Sequence, residues 1–392
     1  MSITGLCTTP VDVSTGHESQ IATRMRSGAI LQSRKWHRYD APDPATKELR
    51  TKMRVFITGT AGFIGFHLAK RLMSEGHELH GYDGMTDYYD LRLKQDRHAE
   101  LTQHNAFSKT IALLEDQEAL DRAVDQFVPD VIVHLAGQAG VRYSLENPRA
   151  YLDANIIGSF NVMEAARRLN VDHLLMASTS SAYGANRKMP FAEIDKADTQ
   201  MTIYAATKKA SENMAHVYAH LHSLPVTMFR FFTVYGAWSR PDMVPFKFAD
   251  LMRAGRPIDI YNNGEMYRDF TFIDDLVEGI TRLIDVIPLA PGERSGEPVP
   301  GDSLSDVAPF RVVNIGNGEK VRLMDFVSAL EEELGVTAEK NFLPMQPGDV
   351  PATWASAALL EALTGEMPKT HYRDGIAAFA KWYRDYFDKR DA

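Results

Sequence analysis

The chain has 392 residues, of which 44% are hydrophobic and 24% charged, a composition typical of globular proteins with a sizeable core. Its formal net charge of −9 argues against a nucleic-acid-binding surface, so we expect no nucleic-acid partner. The single cysteine, Cys7, permits no internal disulfide and no cysteine-based metal cluster; it fits a reducing compartment and predicts a cytoplasmic protein. Because no apolar run approaches the ~20 residues that a membrane span needs, we expect no membrane span.

Residues 1–52 show no hydrophobic period and are rich in Ser and Thr. They lack the apolar core of a signal peptide, and a segment without apolar faces cannot bury enough surface to fold. We therefore predict that residues 1–52 form a disordered extension. Met53 stands directly before the first predicted strand, and we hypothesise that the natural protein begins there.

From residue 54 onwards, strand and helix patterns alternate. Apolar, β-branched runs predict strands at residues 54–58, 78–82, 131–135, 174–177 and 226–229. Helical stretches, such as residues 151–169 and 205–221, lie between them. This alternation is typical of a doubly wound parallel sheet. We therefore predict an α/β, Rossmann-like fold, with the sheet mainly in residues 53–235.

The remainder of the chain, mainly residues 236–392, is less regular. Its patterns predict helices at residues 243–254, 270–287 and 323–334 and a strand at 311–314. A stretch rich in Pro, Gly, Glu and Ser, residues 288–309, is predicted to be a flexible loop insertion. We expect this part to interleave with the first and to form a smaller cap over the carboxyl ends of the strands, where ligands bind in such folds.

A glycine-rich loop follows the first strand and opens a helix. Its pattern, Gly59-x-x-Gly62-x-x-Gly65, lets the backbone turn tightly and approach a dinucleotide diphosphate at the helix N-terminus. Asp83 ends the second strand, where a carboxylate binds ribose hydroxyls and repels a 2′-phosphate, so NAD is favoured over NADP. The alternative is a tight strand-to-helix turn without a ligand. The predicted cofactor contacts are Gly59, Ala61, Gly62, Phe63, Ile64, Gly65, Asp83, Leu135, Ala136, Tyr204 and Lys208.

Tyr204 and Lys208 are four residues apart in a predicted helix and can point into one cleft. A free phenol has a pKa near 10. One cation about 5 Å away, at an effective dielectric near 20, would stabilise the phenolate by roughly 3 kcal/mol. This predicts a lowered pKa and a general base at Tyr204. The alternative is an amphipathic helix with a solvated lysine.

Several motifs together resemble the extended short-chain dehydrogenase/reductase superfamily. They are the glycine loop, the hydroxyl-rich strand end Ser178-Thr179-Ser180-Ser181 and Tyr204-x-x-x-Lys208. Longer runs at residues 134–148, 203–209, 230–236, 268–271 and 343–351 are similar to bacterial UDP-glucuronate 4-epimerases, including those of lipopolysaccharide and capsule synthesis. The resemblance extends from Met53 to about Tyr386.

The resemblance implies NAD-dependent conversion of UDP-glucuronate to UDP-galacturonate. Tyr204 would take the C4 hydroxyl proton while the C4 hydride passes to NAD, and the 4-keto sugar would turn over and receive the hydride on its other face. Thr179 would be the relay hydroxyl, beside Ser180 and Ser181. The implied substrate contacts are Thr233, Arg268 and Asp349 for the nucleotide, and Arg142 and Arg240 for the sugar carboxylate or the diphosphate. No metal ligand is implied, and a homodimer is expected, through residues 95–104 and 151–169 or neighbouring helices.

Two further observations bear on the reaction. Ser180 and Ser181 stand where related dehydratases carry acids, and decarboxylases carry glutamate at the position of Ser181, so epimerisation is favoured. Leu113 stands where many relatives have an adenine-binding aspartate, and Ala237 and Ser239 replace a proline and a glycine beside the substrate. The alternatives are another nucleotide-sugar epimerase, a UDP-glucuronate decarboxylase, or a non-catalytic NAD-sensing protein.

Overall fold

The computed structural model describes residues 52–391 except Pro298 and Pro347. Apart from Lys52, the predicted extension lies outside the described residues. In chain order the strands are β1 (Arg54–Thr58), β2 (Glu78–Asp83), β3 (Phe107–Ile111), β4 (Val131–His134), β5 (His173–Thr179), β6 (Val226–Phe231), β7 (Thr233–Tyr235), β8 (Ile258–Ile260), β9 (Tyr267–Arg268), β10 (Phe270–Phe272), β11 (Phe310–Ile315), β12 (Val321–Arg322), β13 (Lys340–Phe342) and β14 (Ala352–Thr353).

The helices lie between these strands. They are α1 (Phe63–Ser74), α2 (Leu91–Leu101), α3 (Gln117–Phe127), α4 (Tyr143–Glu146), α5 (Pro148–Tyr151), α6 (Ser159–Leu169), α7 (Ile203–His222), α8 (Val244–Arg253), α9 (Ile273–Ile284), α10 (Leu323–Leu334), α11 (Ala358–Thr364) and α12 (Tyr372–Asp391). A π-helical stretch, Leu152–Gly158, joins α5 to α6, and a 3₁₀ turn, Ser180–Tyr183, follows β5. Within the described part of the chain, no helix is both long and apolar enough to cross a bilayer.

Seven parallel strands form the central sheet in the order β11-β6-β5-β4-β1-β2-β3. Chain order reverses at β1, which pairs with β2 on one side and with β4 on the other. Ligands of doubly wound sheets bind at the carboxyl ends of the strands beside such a reversal. The predicted α/β, Rossmann-like fold is confirmed.

Two apolar layers cover the faces of the sheet. Val55 and Ile57 of β1 pack with helices α1, α9 and α11, whereas Phe56, on the opposite face, packs with α3, α6 and α7. All three side chains are fully buried. Strands buried on both faces read as continuous apolar runs, which explains why the five predicted strands coincide with β1, β2, β4, β5 and β6.

The second part of the chain departs from its prediction at one helix. Residues 270–287 were predicted to be helical throughout, but Phe270–Phe272 form β10, which pairs with β7. Only Ile273–Ile284 form the helix, α9, and it packs on the central sheet beside α1. The predicted strand at 311–314 lies within β11, which joins the same sheet next to β6.

A third apolar cluster lies in the cap and contains side chains of α8, α10 and α12. Three small sheets accompany it: β12-β9-β14, β13-β8 and β10-β7. The predicted helices at residues 243–254 and 323–334 correspond to α8 and α10. The strands of this part of the molecule thus have only two or three residues, whereas the strands of the central sheet are longer.

The last part of the predicted insertion, residues 303–309, lies beside α7 and the edge strand β11. The Arg294 guanidinium donates to the carbonyls of Leu289, Ser305 and Ala308 at 2.6–3.0 Å. On α7, a ring nitrogen of His216 lies 2.8 Å from the Ser305 hydroxyl. His220, one turn further along α7, is 2.8 Å from the Val307 carbonyl.

Candidate active site

The loop of residues 59–65, hereafter the dinucleotide loop, connects β1 to α1. Gly59 has φ +84°, and a Cβ there would lie 2.8 Å from the Ala136 nitrogen. A Cβ on Gly65 would lie 2.1 Å from the Gly59 carbonyl oxygen. Both positions therefore require glycine. Helix α1 has no acid in its first turn, and no side chain of the described residues caps it, so its N-terminal N–H groups can receive a diphosphate.

Asp83 lies at the carboxyl end of β2, next to this loop. One carboxylate oxygen accepts from the Ala61 N–H at 2.9 Å and the other from the Met85 N–H at 2.9 Å. Each oxygen keeps accepting capacity for a ribose hydroxyl, and the negative charge disfavours a 2′-phosphate. The site therefore fits NAD.

Leu135 and Ala136 follow β4 on the opposite side of the dinucleotide loop. Both N–H groups donate to the Thr58 hydroxyl at 3.1 Å. The His134 ring lies 2.8 Å from the same hydroxyl and 3.0 Å from that of Ser159. These bonds fix the turn after β4 against the start of the dinucleotide loop.

Leu113, one of the departures from the family pattern, packs against Gly84. A Cβ on Gly84 would lie 2.7 Å from a methyl carbon of Leu113. The Leu113 side chain is 48% exposed, and its carbonyl accepts from the Tyr82 hydroxyl at 2.9 Å. An apolar surface thus stands where many relatives have an acid.

Tyr204 and Lys208 lie in the first turns of α7. The Thr202 hydroxyl caps this helix by accepting from the Ala205 N–H at 3.2 Å. Tyr204 is partly exposed, whereas Lys208 is only 5% exposed. The Lys208 ammonium faces the end of β4, because a Cβ at Gly137 would lie 3.9 Å from its Nζ.

Burial controls the titration of this pair. It raises the pKa of the Tyr204 phenol, and the Thr179 hydroxyl and the charge of Arg240 only partly oppose it. The predicted lowering of the pKa of Tyr204 is therefore wrong for this structure: removing the phenolate from water outweighs the charge of Arg240. Burial also lowers the pKa of Lys208 to about 8, against the opposing charge of Glu212.

Two hydroxyl groups at the end of β5 have different partners on α7. Thr179 faces Tyr204, and its hydroxyl accepts from the Ser181 N–H at 3.2 Å. Ser178 donates to Glu212, further along the same helix, at 2.6 Å, so its hydroxyl serves the core. Ser180 and Ser181 begin the 3₁₀ turn.

The segment of residues 236–242, hereafter the substrate loop, brings Arg240 to the same place. Its guanidinium makes two bonds with Asp242, at 2.9 and 2.7 Å. The Tyr88 hydroxyl donates to the same carboxylate at 3.2 Å. Both Arg240 and Asp242 act on the pKa of Tyr204, in opposite directions. Thr233 starts β7 and is partly exposed.

A second group of predicted residues lies on the cap side. Arg142 is 3.5 Å from Asp349 and stacks on the Tyr261 ring at 4.4 Å. Burial lowers the pKa of Arg268, the charge of Asp349 raises it, and that of Arg142 lowers it. Two guanidinium groups and one carboxylate give this group a net positive charge, which suits a diphosphate. The structure thus brings Arg142, Arg268 and Asp349 together.

Comparison with known proteins identifies the family. The model of the NAD dependent epimerase/dehydratase family matches residues 55–291. The chain belongs to the NAD-dependent epimerase/dehydratase family. The cofactor of this epimerase family is NAD, as predicted from the dinucleotide loop and Asp83.

Individual members of the family are closely similar to this chain. A probable UDP-glucuronate 4-epimerase of Rhizobium meliloti is 59% identical over 331 residues, which are 84% of this chain and 97% of that protein. Protein CapI of Staphylococcus aureus is 48% identical over 86% of this chain and 100% of its own length. The crystal structure of UDP-glucuronic acid 4-epimerase from Bacillus cereus, in complex with UDP-glucuronic acid and NAD, has a TM-score of 0.75 and 28% identity, covering 85% of this chain and 100% of that chain.

Sequence reasoning missed several polar and aromatic groups of this epimerase-family site. Tyr151 packs edge-on against Tyr204 at 6.0 Å. Asn155, in the π-helical stretch, bonds both the N–H and the carbonyl of Gln138. Asp242 pairs with Arg240. The Arg-x-Asp spacing was a visible signal for Asp242, but nothing in the sequence marks Asn155 as turned towards the site.

Proposed function

We propose that the protein catalyses NAD-dependent 4-epimerisation of UDP-glucuronate to UDP-galacturonate. The observation that carries the proposal is the convergence of Tyr204, Thr179 and Arg240 at the carboxyl edge of the sheet. A phenol and a hydroxyl can exchange a proton with a hydroxyl group of the substrate, and a guanidinium can bind a carboxylate next to that group. The 59% identity to a probable UDP-glucuronate 4-epimerase supports the same substrate.

In this proposal each side chain has one task. Tyr204 accepts the C4 hydroxyl proton, with the Thr179 hydroxyl as relay, and returns it at the end of the reaction. Bound NAD supplies the acceptor and donor of the C4 hydride. Because burial raises the pKa of Tyr204 in the structure, we infer that the positive nicotinamide ring supplies the remaining stabilisation of the phenolate. Lys208 is the ammonium group that faces the cofactor side.

The two ends of the substrate are held differently in this proposal. Arg268, Arg142 and Asp349 bind the nucleotide and its diphosphate, and Thr233 contacts the nucleotide. Arg240 binds the sugar carboxylate. The sugar must present both faces of C4 to the cofactor, so most binding energy has to come from the UDP part. We propose that residues 53–235 mainly bind NAD and residues 236–392 mainly bind the UDP-sugar.

Ser180 and Ser181 favour epimerisation over elimination or decarboxylation. Neither residue can act as a carboxyl acid or a carboxylate base, which loss of water requires. The 4-keto acid formed after hydride transfer is prone to lose carbon dioxide, and in this proposal the guanidinium of Arg240 stabilises the ionised carboxylate against that loss. Asp242 and Tyr88 fix the orientation of that guanidinium.

The proposal is tested by incubating the purified protein with UDP-glucuronate and resolving the products by NMR. We expect UDP-galacturonate at equilibrium with UDP-glucuronate and no net reduction of NAD. A UDP-pentose would instead establish a decarboxylase, and unchanged substrate with bound NAD would favour the non-catalytic alternative. UDP-glucose and UDP-N-acetylglucosamine, offered separately, test whether another nucleotide-sugar epimerase is present.

We also propose a homodimer that forms through α6 and α7. These helices are neighbours, with Phe160 and Tyr218 rings 6.4 Å apart. The outer faces of these two helices and of the π-helical stretch before α6 expose apolar side chains: Leu152 at 45%, Ile157 at 48%, Phe160 at 41%, Val217 at 50% and Leu221 at 66%. The exposed residues of α2, in contrast, are mainly polar. Light scattering should give twice the chain mass for the unmodified protein and one chain mass for Leu221→Glu; a dimeric variant would exclude this surface.

The product class suggests a cellular role. UDP-galacturonate is an activated sugar acid, so the reaction that consumes it must be a glycosyl transfer. We propose that the enzyme acts in the cytoplasm and supplies surface polysaccharide, either capsule or lipopolysaccharide. Deletion of its gene should remove galacturonate from hydrolysed surface polysaccharide, and an unchanged sugar composition would contradict the assignment.

A further inference from the structure

One buried guanidinium contacts both loops of the site. The Arg97 side chain is fully buried (0% exposed), although α2 is mostly polar in sequence. Nη1 donates to the Ala61 carbonyl at 2.7 Å and to the Tyr89 hydroxyl at 2.8 Å. Nη2 donates to the Trp238 carbonyl at 2.6 Å and to that of Ser239 at 3.4 Å. Arg97 therefore bonds the dinucleotide loop and the substrate loop at the same time.

On the cofactor side, Arg97 completes the attachment of Ala61. The Ala61 N–H donates to Asp83, and its carbonyl accepts from Arg97. Gly62, the next residue, is the N-cap of α1, where the diphosphate is expected. Losing the Arg97 bond would therefore loosen the backbone directly before the diphosphate site, while the Asp83 bond remained.

On the substrate side, three successive carbonyls are held. His67 on α1 bonds the Ala237 carbonyl at 2.9 Å, and Arg97 bonds the next two. Burial lowers the pKa of His67 to about 4, so its ring is neutral at physiological pH and donates through Nε2. Trp238 has φ +60°, a region that residues other than glycine rarely adopt. The bonds to these carbonyls hold that backbone conformation two residues before Arg240.

Packing alone does not explain an arginine at this position. Within the described residues, no carboxylate accepts a hydrogen bond from Arg97; its partners are three carbonyls and a phenol. Burying a charge is costly, and an apolar side chain could fill the same volume without that cost. What an apolar side chain cannot do is donate to two separate loops from one rigid plane.

We propose that Arg97 is a positioning residue that joins the two loops, so that the place of Arg240 beside Tyr204 depends on the conformation of the dinucleotide loop. The inference relies on the proposed function only for the identity of the sugar. The proposal also explains why Ala237 and Ser239 can replace a proline and a glycine. The substrate loop is attached through its backbone carbonyls, so replacing these side chains leaves the attachments intact.

The test compares Arg97→Lys and Arg97→Met with the unmodified holoenzyme. Lysine keeps the charge but, as a point donor, cannot span both loops. Amide hydrogen exchange of residues 236–242, followed by mass spectrometry, should accelerate roughly tenfold in both variants, as expected for the loss of one or two bonds to a charged donor. NAD release after dilution should accelerate as well, more in Arg97→Met than in Arg97→Lys. The affinity for UDP-glucuronate should fall roughly tenfold, while that for UDP stays unchanged.

Arg311→Lys is the matched control. Arg311 is also buried, at 1% exposure, and pairs with Asp302 at 2.9 Å, but it lies near the start of β11, away from the carboxyl edge. We expect exchange at residues 236–242 and NAD release to be unchanged in this variant. The same acceleration in Arg311→Lys would mean general destabilisation and would overturn the inference.

Two further results would decide against it. Arg97→Lys with unmodified exchange at residues 236–242 would show that the two-loop contact does not hold the substrate loop. Faster NAD release without faster exchange in that loop would show that Arg97 acts on the cofactor alone. If Arg97→Met does not fold, Arg97→Lys decides the question by itself. Exchange and NAD release do not depend on which sugar is the substrate, so a protein inactive on UDP-glucuronate but with coupled loops would refute only the proposed function.

Discussion

The two sides of the active site are built on different principles. On the cofactor side, long strands buried on both faces end in a loop that presents backbone N–H groups and one carboxylate, Asp83. On the proposed substrate side, Arg268 stands on the two-residue strand β9, and Arg142 and Arg240 stand outside the strands. Backbone groups in a packed core cannot relax, whereas arginine side chains on loops and short strands can. In the proposed function, the rigid side holds the cofactor and the adaptable side accommodates a sugar that turns.

The largest expected effect comes from replacing Tyr204, which lies between the cofactor side and the substrate side. Tyr204→Phe removes the proposed base, and because general base catalysis contributes roughly 10²–10⁴-fold, we expect epimerisation to slow by about 10³-fold. NAD should remain bound, since the cofactor side is untouched. Product formation is measured by NMR and bound dinucleotide after denaturation of the protein.

Tyr218→Phe is the control for this variant. Tyr218 lies on the same helix and its hydroxyl bonds Glu164, outside the site. We expect its turnover to match that of the unmodified protein. A Tyr204→Phe enzyme that epimerises at the normal rate would remove the tyrosine from the mechanism.

The buried amine on the cofactor side predicts a pH dependence of stability. Burial lowers the pKa of Lys208 from 10.5 to about 8, so between these values the unfolded chain binds a proton that the folded protein does not. Stability should therefore rise with pH across this window, by up to about 3 kcal/mol. Denaturant unfolding of Lys208→Met should lack that rise.

Lys209→Met provides the comparison for Lys208→Met. Lys209 is the next residue, 25% exposed at its side chain and paired with Glu212, and removing it should leave the rise with pH in place. Equal pH profiles for the unmodified protein and Lys208→Met would show that Lys208 is charged throughout the window.

On the substrate side, Arg240→Lys should impair recognition of the carboxylate. Lysine cannot reproduce the two-point bond to a carboxylate or to Asp242, so we expect kcat/KM for UDP-glucuronate to fall roughly 10–100-fold. UDP binding, measured by calorimetry, should not change. If UDP affinity falls equally, Arg240 contributes to the diphosphate site together with Arg268, and its assignment to the sugar carboxylate is wrong.

The smallest expected effect is on cofactor choice. Asp83→Asn removes the charge that disfavours a 2′-phosphate while keeping an oxygen for one backbone bond. We expect the preference for NAD over NADP to fall roughly tenfold, equivalent to one charged hydrogen bond. Competitive reloading of the protein with the two dinucleotides measures the ratio, and an unchanged ratio would assign the selection to other groups.

The sequence predicted most of the central sheet because its strands are buried on both faces. It did not reveal β3, an edge strand whose Ser108 and Lys109 are exposed, since such a strand has no continuous apolar run. It also misjudged Phe270–Phe272, which continue the apolar pattern of α9. No side chain caps the start of α9 in the described residues, so the boundary between strand and helix left no signal.

In the candidate site, spacing and resemblance predicted which residue types meet, but not their environment. The raised pKa of Tyr204 arises from burial by segments distant in sequence, which no local pattern reports. For a related reason the sequence did not indicate that Arg97 is buried. Helix α2 has the pattern of a solvated polar helix, yet its residues Lys94, Arg97 and His98 are buried. These side chains are made internal by segments distant in sequence: His98 contacts Thr60 and Phe107, and Arg97 contacts both loops of the site.

The aromatic side chains around Trp238 make the intrinsic fluorescence of the protein sensitive to the position of the substrate loop. The Trp238 ring lies 5.4 Å from Trp382 and 5.1 Å from Tyr386, both on the last helix. Because Trp238 belongs to the segment that carries Arg240, any displacement of that segment changes the distance between two indoles and hence their mutual quenching. Intrinsic emission therefore gives a label-free, time-resolved signal of any movement of that segment, recorded on the unmodified chain.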